Sequence, residues 1–193
     1  MTSYFTYEEY EDKEFTGLDF SEESIRDISF FSCTFERCSF QYADLSLSSF
    51  DNCDFSNCNL SLVKLGATHI FDVSFTGCKL MGINWGNVKG LFKADFTDCI
   101  LDNAVFPDLN LQQFSFDDCS FTGASFVGTN LSHATFDTCD LKDCLFDSAN
   151  LTQADFSTAY GYTIDVSKNI ITRAKFSLPE AVSLLQNFDI EIV

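Results

Sequence analysis

Large apolar residues recur at every fifth position along this chain. From Phe15 the series runs Phe20, Ile25, Phe30, Phe35, Phe40, Leu45, Phe50, Phe55, Leu60, Leu65, Ile70, Phe75, Leu80 and Trp85. The register slips by one residue around Gly86 to Gly90. It resumes at Leu91, Phe96, Leu101, Phe106, Leu111, Phe116, Phe121, Phe126, Leu131, Phe136, Leu141, Phe146, Leu151 and Phe156. No central position is polar, and neither the 3.6-residue period of a helix nor the two-residue period of a strand yields such a run. The position two before each centre is small or modest almost throughout, as at Ala43, Ser48, Ala104, Ala124 and Ala154. All nine cysteines fall there: Cys33, Cys38, Cys53, Cys58, Cys78, Cys99, Cys119, Cys139 and Cys144. One large and one small inward residue per five fill a narrow tube, as a solenoid interior requires.

Cysteine spacing sets the circuit. Cys38, Cys58 and Cys78 are 20 residues apart, as are Cys99, Cys119 and Cys139, and the 21-residue step from Cys78 to Cys99 carries the slip. A recurrence of 20 implies four units per coil. The expected fold is an all-β solenoid, a quadrilateral β-helix of about seven coils and about 35 Å at ~4.8 Å per layer. Residues 1–14 form an N-terminal extension, 15–160 the column, and 161–193 a C-terminal cap. In the cap, Ser177-Leu178-Pro179-Glu180 has the composition of a helix start, with Ser177 and Glu180 as a capping box. Leu178, Ala181, Val182, Leu185 and Phe188 make an apolar stripe, and Asp189-Ile190-Glu191-Ile192-Val193 alternates as a short strand would. The stripe reads equally as a lid over the last coil or as a lid that also pairs with a second copy. The N-terminal stretch, with Tyr4, Phe5, Tyr7 and Tyr10 among acids, either packs on the first coil or stands off it.

Composition narrows the function classes. With 23 Phe the chain is too apolar for disorder, and its formal charge of −18 argues against direct contact with nucleic acid or an anionic membrane. A partner with a basic surface is expected instead. No apolar run approaches the roughly 18 residues of a membrane span, and Met1 to Glu14 lacks the basic and apolar regions of a signal peptide. The expected location is the cytoplasm, with reduced thiols acting as small buried hydrophobes. No Cys-x-x-Cys occurs, and His69 and His133 lack metal-ligand spacing. Neither a phosphate loop nor a catalytic constellation is found, so no metal, cofactor or enzymatic activity is expected.

Charge is polarised along the column. From Glu36 to Lys93 five acids balance five bases, whereas from Asp95 to Asp155 eleven acids face the single base Lys142. The 20-residue coil assigns Asp95, Asp98, Asp117, Asp118, Asp137 and Asp155 to the face of Phe96, Phe116, Phe136 and Phe156. Asp102, Asp140 and Asp143 go to the face of Leu101, Phe121 and Leu141. The face of Phe106 and Phe126 has Asp108 and Asp147, and that of Leu111, Leu131 and Leu151 has none. Ten net charges over about 15 Å give about one per 1.5 Å, the order of duplex DNA at one per ~1.7 Å. The competing reading is solubility, since aspartate suits tight turns and net charge keeps a rod from associating.

The five-residue pattern resembles the pentapeptide-repeat family. The segments Cys58-Asn59-Leu60-Ser61-Leu62 and Cys78-Lys79-Leu80-Met81-Gly82-Ile83-Asn84-Trp85 are similar to the middle of its albicidin-resistance members. So is the tail from Ala174 to Leu185, with Asp189-Ile190-Glu191. Those proteins resemble the microcin-immunity and plasmid quinolone-resistance proteins. The resemblance implies a right-handed β-helix and a dimer joined through the C-terminal caps, with Leu178, Ala181, Val182, Leu185, Phe188, Ile190 and Ile192 as candidate interface. It also implies DNA gyrase and topoisomerase IV as partners of a rod that imitates DNA and relieves topoisomerase poisons. This chain has no long projecting loop of the kind the Gram-negative quinolone-resistance relatives carry. The alternatives are a scaffold that uses the column as a binding surface, and a secreted or toxin-associated repeat.

Overall fold

The computed structural model describes residues 4–186, 188 and 190. It is a parallel β-solenoid of about eight turns. The strands are β1 (Glu9–Glu11), β2 (Glu14–Thr16), β3 (Ser29–Phe31), β4 (Thr34–Glu36), β5 (Ser49–Asp51), β6 (Asp54–Ser56) and β7 (His69–Thr76). After a short 3-10 turn at Trp85–Asn87 come β8 (Lys93–Thr97), β9 (Ser115–Asp117), β10 (Thr135–Asp137), β11 (Asp155–Phe156) and β12 (Lys175–Phe176). Every pairing is parallel, and the recurring register is 20 residues, as in Phe15↔Phe35, Phe30↔Phe50 and Phe116↔Phe136. Bridges such as Ser39↔Asn59 and Ser24↔Asp44 close the other two sides. The four faces are named here by their centres. Face I holds Phe15 through Phe176, face II Phe20 through Leu141, face III Ile25 through Phe146, and face IV Phe30 through Ile171.

Period five becomes a column because every residue between two centres has a conformational duty. The residue two after a centre takes positive φ, as at Arg37, Asn57, Asp98 and Asp118, and this left-handed step turns the corner. Centres then stack. On face I, Phe35 lies 4.6 Å from Phe55 with rings 10° apart, and Phe136 lies 5.0 Å from Phe156 with rings 9° apart. These offset ring pairs, repeated to Phe176, add to the burial that drives the fold.

The small slot is also a donor slot. Each thiol donates to the carbonyl of the centre 23 residues earlier, or 24 for Cys99 across the slip, as Cys38 Sγ to Phe15 O (3.4 Å), Cys58 Sγ to Phe35 O (3.3 Å) and Cys139 Sγ to Phe116 O (3.6 Å). Ser48 Oγ to Ile25 O (2.9 Å) and Thr129 Oγ1 to Phe106 O (2.6 Å) do the same with hydroxyls. All nine thiols are free and buried. Burial pushes the Cys53 thiol up to about 12, so it remains a protonated donor.

The inserted residue is absorbed between Lys89 and Ala94. Lys89 N–H still bonds to Thr68 O at 2.8 Å, but Phe71 faces Lys93 and Val73 faces Ala94, a bulge in the β7–β8 pair. This corrects one centre. Leu91, placed inward by the periodicity, is 67% exposed, and Phe92 beside it is buried. Gly90 takes φ +81 there. Next to it a large residue stands in a small slot: Phe114, partly buried, lies 5.5 Å from Phe92.

Both ends are closed by residues outside 15–160. Phe5 is buried 4.9 Å from Phe20 and 5.2 Å from Phe30, and Tyr10 on β1 stacks over Phe30 at 5.5 Å. The N-terminal stretch therefore packs on the first coil. At the other end Phe176 on β12 stacks on Phe156 at 5.4 Å, Tyr162 is buried, and Leu184 packs against the core. The cap is a 3-10 helix, Glu180–Leu185, preceded by Pro179 with no side-chain cap. The expected capping box does not form. Proline at the cap position offers no side-chain acceptor, and Ser177 contributes only its main-chain carbonyl, to Ala181 N–H at 2.9 Å.

Candidate acidic face

Two strand pairs build the site. Phe96↔Phe116 with Thr97↔Asp117, then Phe116↔Phe136 with Asp117↔Asp137, carry face I down the C-terminal half in strict register. Six of the expected carboxylates therefore stand on one face in three rows. The row before the centres reads Asp95, Ser115, Thr135, Asp155, Lys175. The row after them reads Thr97, Asp117, Asp137, Ser157. The corner row reads Asp98, Asp118, Thr138, Thr158. Asp102, Asp140 and Asp143 lie on face II, beyond the corner that Asp98 and Asp118 occupy.

These positions differ in why they are acidic. Asp98, Asp118 and Asp143 take φ of 53, 51 and 57, a region aspartate tolerates better than most side chains. Asp140 and Asp155 make Asx turns, accepting the Lys142 and Ser157 N–H groups at 3.0 Å each. Asp102 accepts Ser120 Oγ at 2.6 Å and Thr122 N–H at 3.0 Å. Asp137 accepts Thr158 Oγ1 at 2.7 Å. Asp95 and Asp117 have none of these turn or hydrogen-bond roles among the described residues. Asp117 also meets Asp137 directly across the β9–β10 pair, a like-charge rung that destabilises by roughly 0.2–1 kcal/mol.

Reading the acids alone misses the hydroxyls between them. Ser115 and Thr135 separate Asp95 from Asp155, and Thr135 Oγ1 bonds to Ser115 Oγ at 2.9 Å. The 20-residue ruler that grouped the acids finds them once it is laid on every residue. At the lower edge Lys175 Nζ lies 2.8 Å from Asp155 Oδ2, and with Ser157 it holds that carboxyl below the usual range. The wall thus ends in a neutralised rung. Face IV beside it carries no acid in these coils and runs an amide ladder, Asn150 to Asn130 to Asn110, at 3.2 and 2.9 Å.

Of the candidate interface, Leu178 is 80% exposed, and Val182, Leu185, Phe188 and Ile190 are also exposed. Ala181 is half-buried, and Ile192 lies outside the described residues. Leu184, which the stripe omitted, is the cap residue that packs against the core. Among the described residues no helix is long and apolar enough to cross a membrane.

Known proteins bear on this geometry. The sequence matches the model for the pentapeptide repeat region over residues 28–90 and 89–178. No curated protein matches it. Among solved structures it is similar to full-length QnrB1, a plasmid-mediated fluoroquinolone resistance protein. That pair is 17% identical, with a TM-score of 0.52 over 94% of this chain and 100% of the other. A trypsin-treated QnrB1 variant gives 17% identity, 0.50, 96% and 100%. HetL, a pentapeptide repeat protein involved in heterocyst differentiation regulation from the cyanobacterium Nostoc sp. strain PCC 7120, gives 15%, 0.38, 86% and 86%.

Proposed function

The chain belongs to the pentapeptide-repeat family, and from that premise we propose that its acidic half occupies the DNA-binding surface of a type II topoisomerase and counters a poison of that enzyme. The observation that carries this reading is the in-register wall of Asp95, Asp98, Asp117, Asp118, Asp137 and Asp155. The six carboxylates of the wall stand at one per ~2.5 Å, and with the acids of faces II and III the acidic half carries one net charge per ~1.5 Å, the order of duplex DNA. The similarity in fold to a fluoroquinolone resistance protein supports the choice of DNA gyrase, with topoisomerase IV, as partner. The protein acts by binding in the cytoplasm, without catalysis. Purified protein in a gyrase supercoiling assay should compete with DNA and reduce cleavage trapped by albicidin, a microcin or a fluoroquinolone. The absence of both inhibition and rescue at stoichiometric excess refutes the reading.

Exposed Leu178, Val182, Leu185, Phe188 and Ile190 fit a second copy docked cap to cap, which brings two acidic halves together at the centre of a longer rod. Light scattering should give twice the chain mass, and Leu185→Glu should return it to one.

A scaffold is favoured by one specific feature. Face III, opposite the wall, presents exposed Val127 and Leu145 and is edged by Tyr42, Leu47 and Leu62. If the column is an adaptor for an unrelated protein, Val127→Lys abolishes function while charge reversal at Asp118 leaves it intact.

A further inference from the structure

Face IV in the N-terminal half carries an unusual outward row. Register pairs Glu11↔Phe31, Phe31↔Asp51, Asp51↔Phe71 and Phe71↔Lys93, so charges and aromatic rings alternate along one line of side chains. The two rings have opposite surroundings. Phe71 is provided with a cation by the chain itself. Lys93 Nζ sits 5.8 Å from its ring centroid and 2.6 Å from Asp72 Oδ1. The His69 ring lies parallel to it at 6.2 Å and 11°, with Nε2 at 3.2 Å from Asp51 Oδ1.

Phe31 has the same kind of acidic frame and no cation. It is 52% exposed, between Glu11 on one rung and Asp51 on the next, and Glu9 lines the same shallow groove with Ser29 and Ser49. Among the described residues Lys93 over Phe71 is the cation–aromatic contact, and none is made to Phe31. A π-face attracts a cation and gains nothing from flanking carboxylates. The row itself therefore shows which chemistry completes such a frame.

We propose that the Glu11–Phe31–Asp51 groove receives an arginine side chain of a protein partner. The guanidinium lies flat on the Phe31 ring and donates N–H groups to Glu11 on one side and Asp51 on the other. Those two residues are two rungs apart, about 9.6 Å between main chains at ~4.8 Å per rung. A planar donor with nitrogens on both edges bridges that span better than a point-charge ammonium. This contact lies at the far end of the column from the acidic wall and stands independently of the topoisomerase reading.

The probe is the peptide acetyl-Gly-Arg-Gly-amide, with its citrulline counterpart as the isosteric neutral control, followed by amide NMR of the intact protein at low salt. The arginine peptide should shift the amides around Glu11, Phe31 and Asp51 saturably, and the citrulline peptide should not. Phe31→Leu should weaken binding by about three-fold, the share of an exposed cation–π contact, and Glu11→Gln should weaken it further in combination. Equal binding of both peptides overturns the proposal. So does a response centred on Asp95 to Asp155, or affinity unchanged in Phe31→Leu with its native spectrum intact. None of these results depends on gyrase, so the topoisomerase reading stands or falls separately.

Discussion

At the scale of single residues, the small slot explains why cysteine recurs where alanine would fit. Cys119 Sγ reaches two carbonyls, Phe96 O at 3.7 Å and Asp117 O at 3.3 Å. Cys119→Ala removes the donor shared by both carbonyls and a buried sulfur's volume, and should lower stability by about 1–2 kcal/mol. Cys119→Ser, which keeps a donor, should lose less; urea denaturation of the two variants decides the order. The same geometry makes the thiols inert, so a thiol reagent should titrate none of the nine in the native protein and all nine in denaturant. Asp155 predicts a pH effect. Lys175 and Ser157 hold its folded carboxyl below the ordinary aspartate range. Its contribution is then fully present above that ordinary value and is lost as pH falls through the depressed one. Melting temperatures of the native protein and Asp155→Asn should converge toward acid and separate toward neutrality.

At the scale of elements, the bulge is where the column departs from its own rule. Gly90 holds φ +81, and an added Cβ would meet only His69 Nδ1, at 3.7 Å. Gly90→Ala therefore isolates the conformational term and should cost about 1 kcal/mol, measured by urea unfolding, without displacing a neighbour. The coil length, four faces and acidic grouping were legible because stacked coils impose one period on every layer. The bulge was legible only in outline: Leu91 and Phe92 are both apolar, and nothing local says which points inward. Phe114, a large residue in a small slot, meets Phe92, a partner that turns inward only at the bulge. The ends were more legible than the assigned boundaries allowed. Phe5 and Tyr10 continue the five-residue series backward from Phe15, and Ile171 and Phe176 continue it forward past Gly161, and β1 and β12 form there. The absent capping box failed for a different reason: composition can nominate Ser177 as a cap but cannot fix the backbone turn that makes Pro179 the cap instead.

At the scale of the whole molecule, the solubility reading and the DNA-imitation reading of the wall predict opposite pairings of stability and function. Acids kept only for solubility would settle where they also serve a turn, as Asp98, Asp118, Asp140 and Asp155 do. Asp117 serves none and stands in register with Asp137. Neutralising it as Asp117→Asn removes a like-charge rung and leaves in place the main-chain carbonyl that Cys119 Sγ reaches at 3.3 Å. Stability should rise by roughly 0.2–1 kcal/mol at low salt. The gain should shrink in high salt, where the Debye length falls toward ~3 Å. If the wall engages a basic groove, the same substitution weakens gyrase inhibition even as the fold becomes firmer, and Asp117→Asn with Asp137→Asn weakens it more. A variant that is more stable and equally inhibitory would leave the wall without a binding role and return the acids to solubility. Thermal melts at two salt concentrations beside a supercoiling titration of the same preparations distinguish the two outcomes.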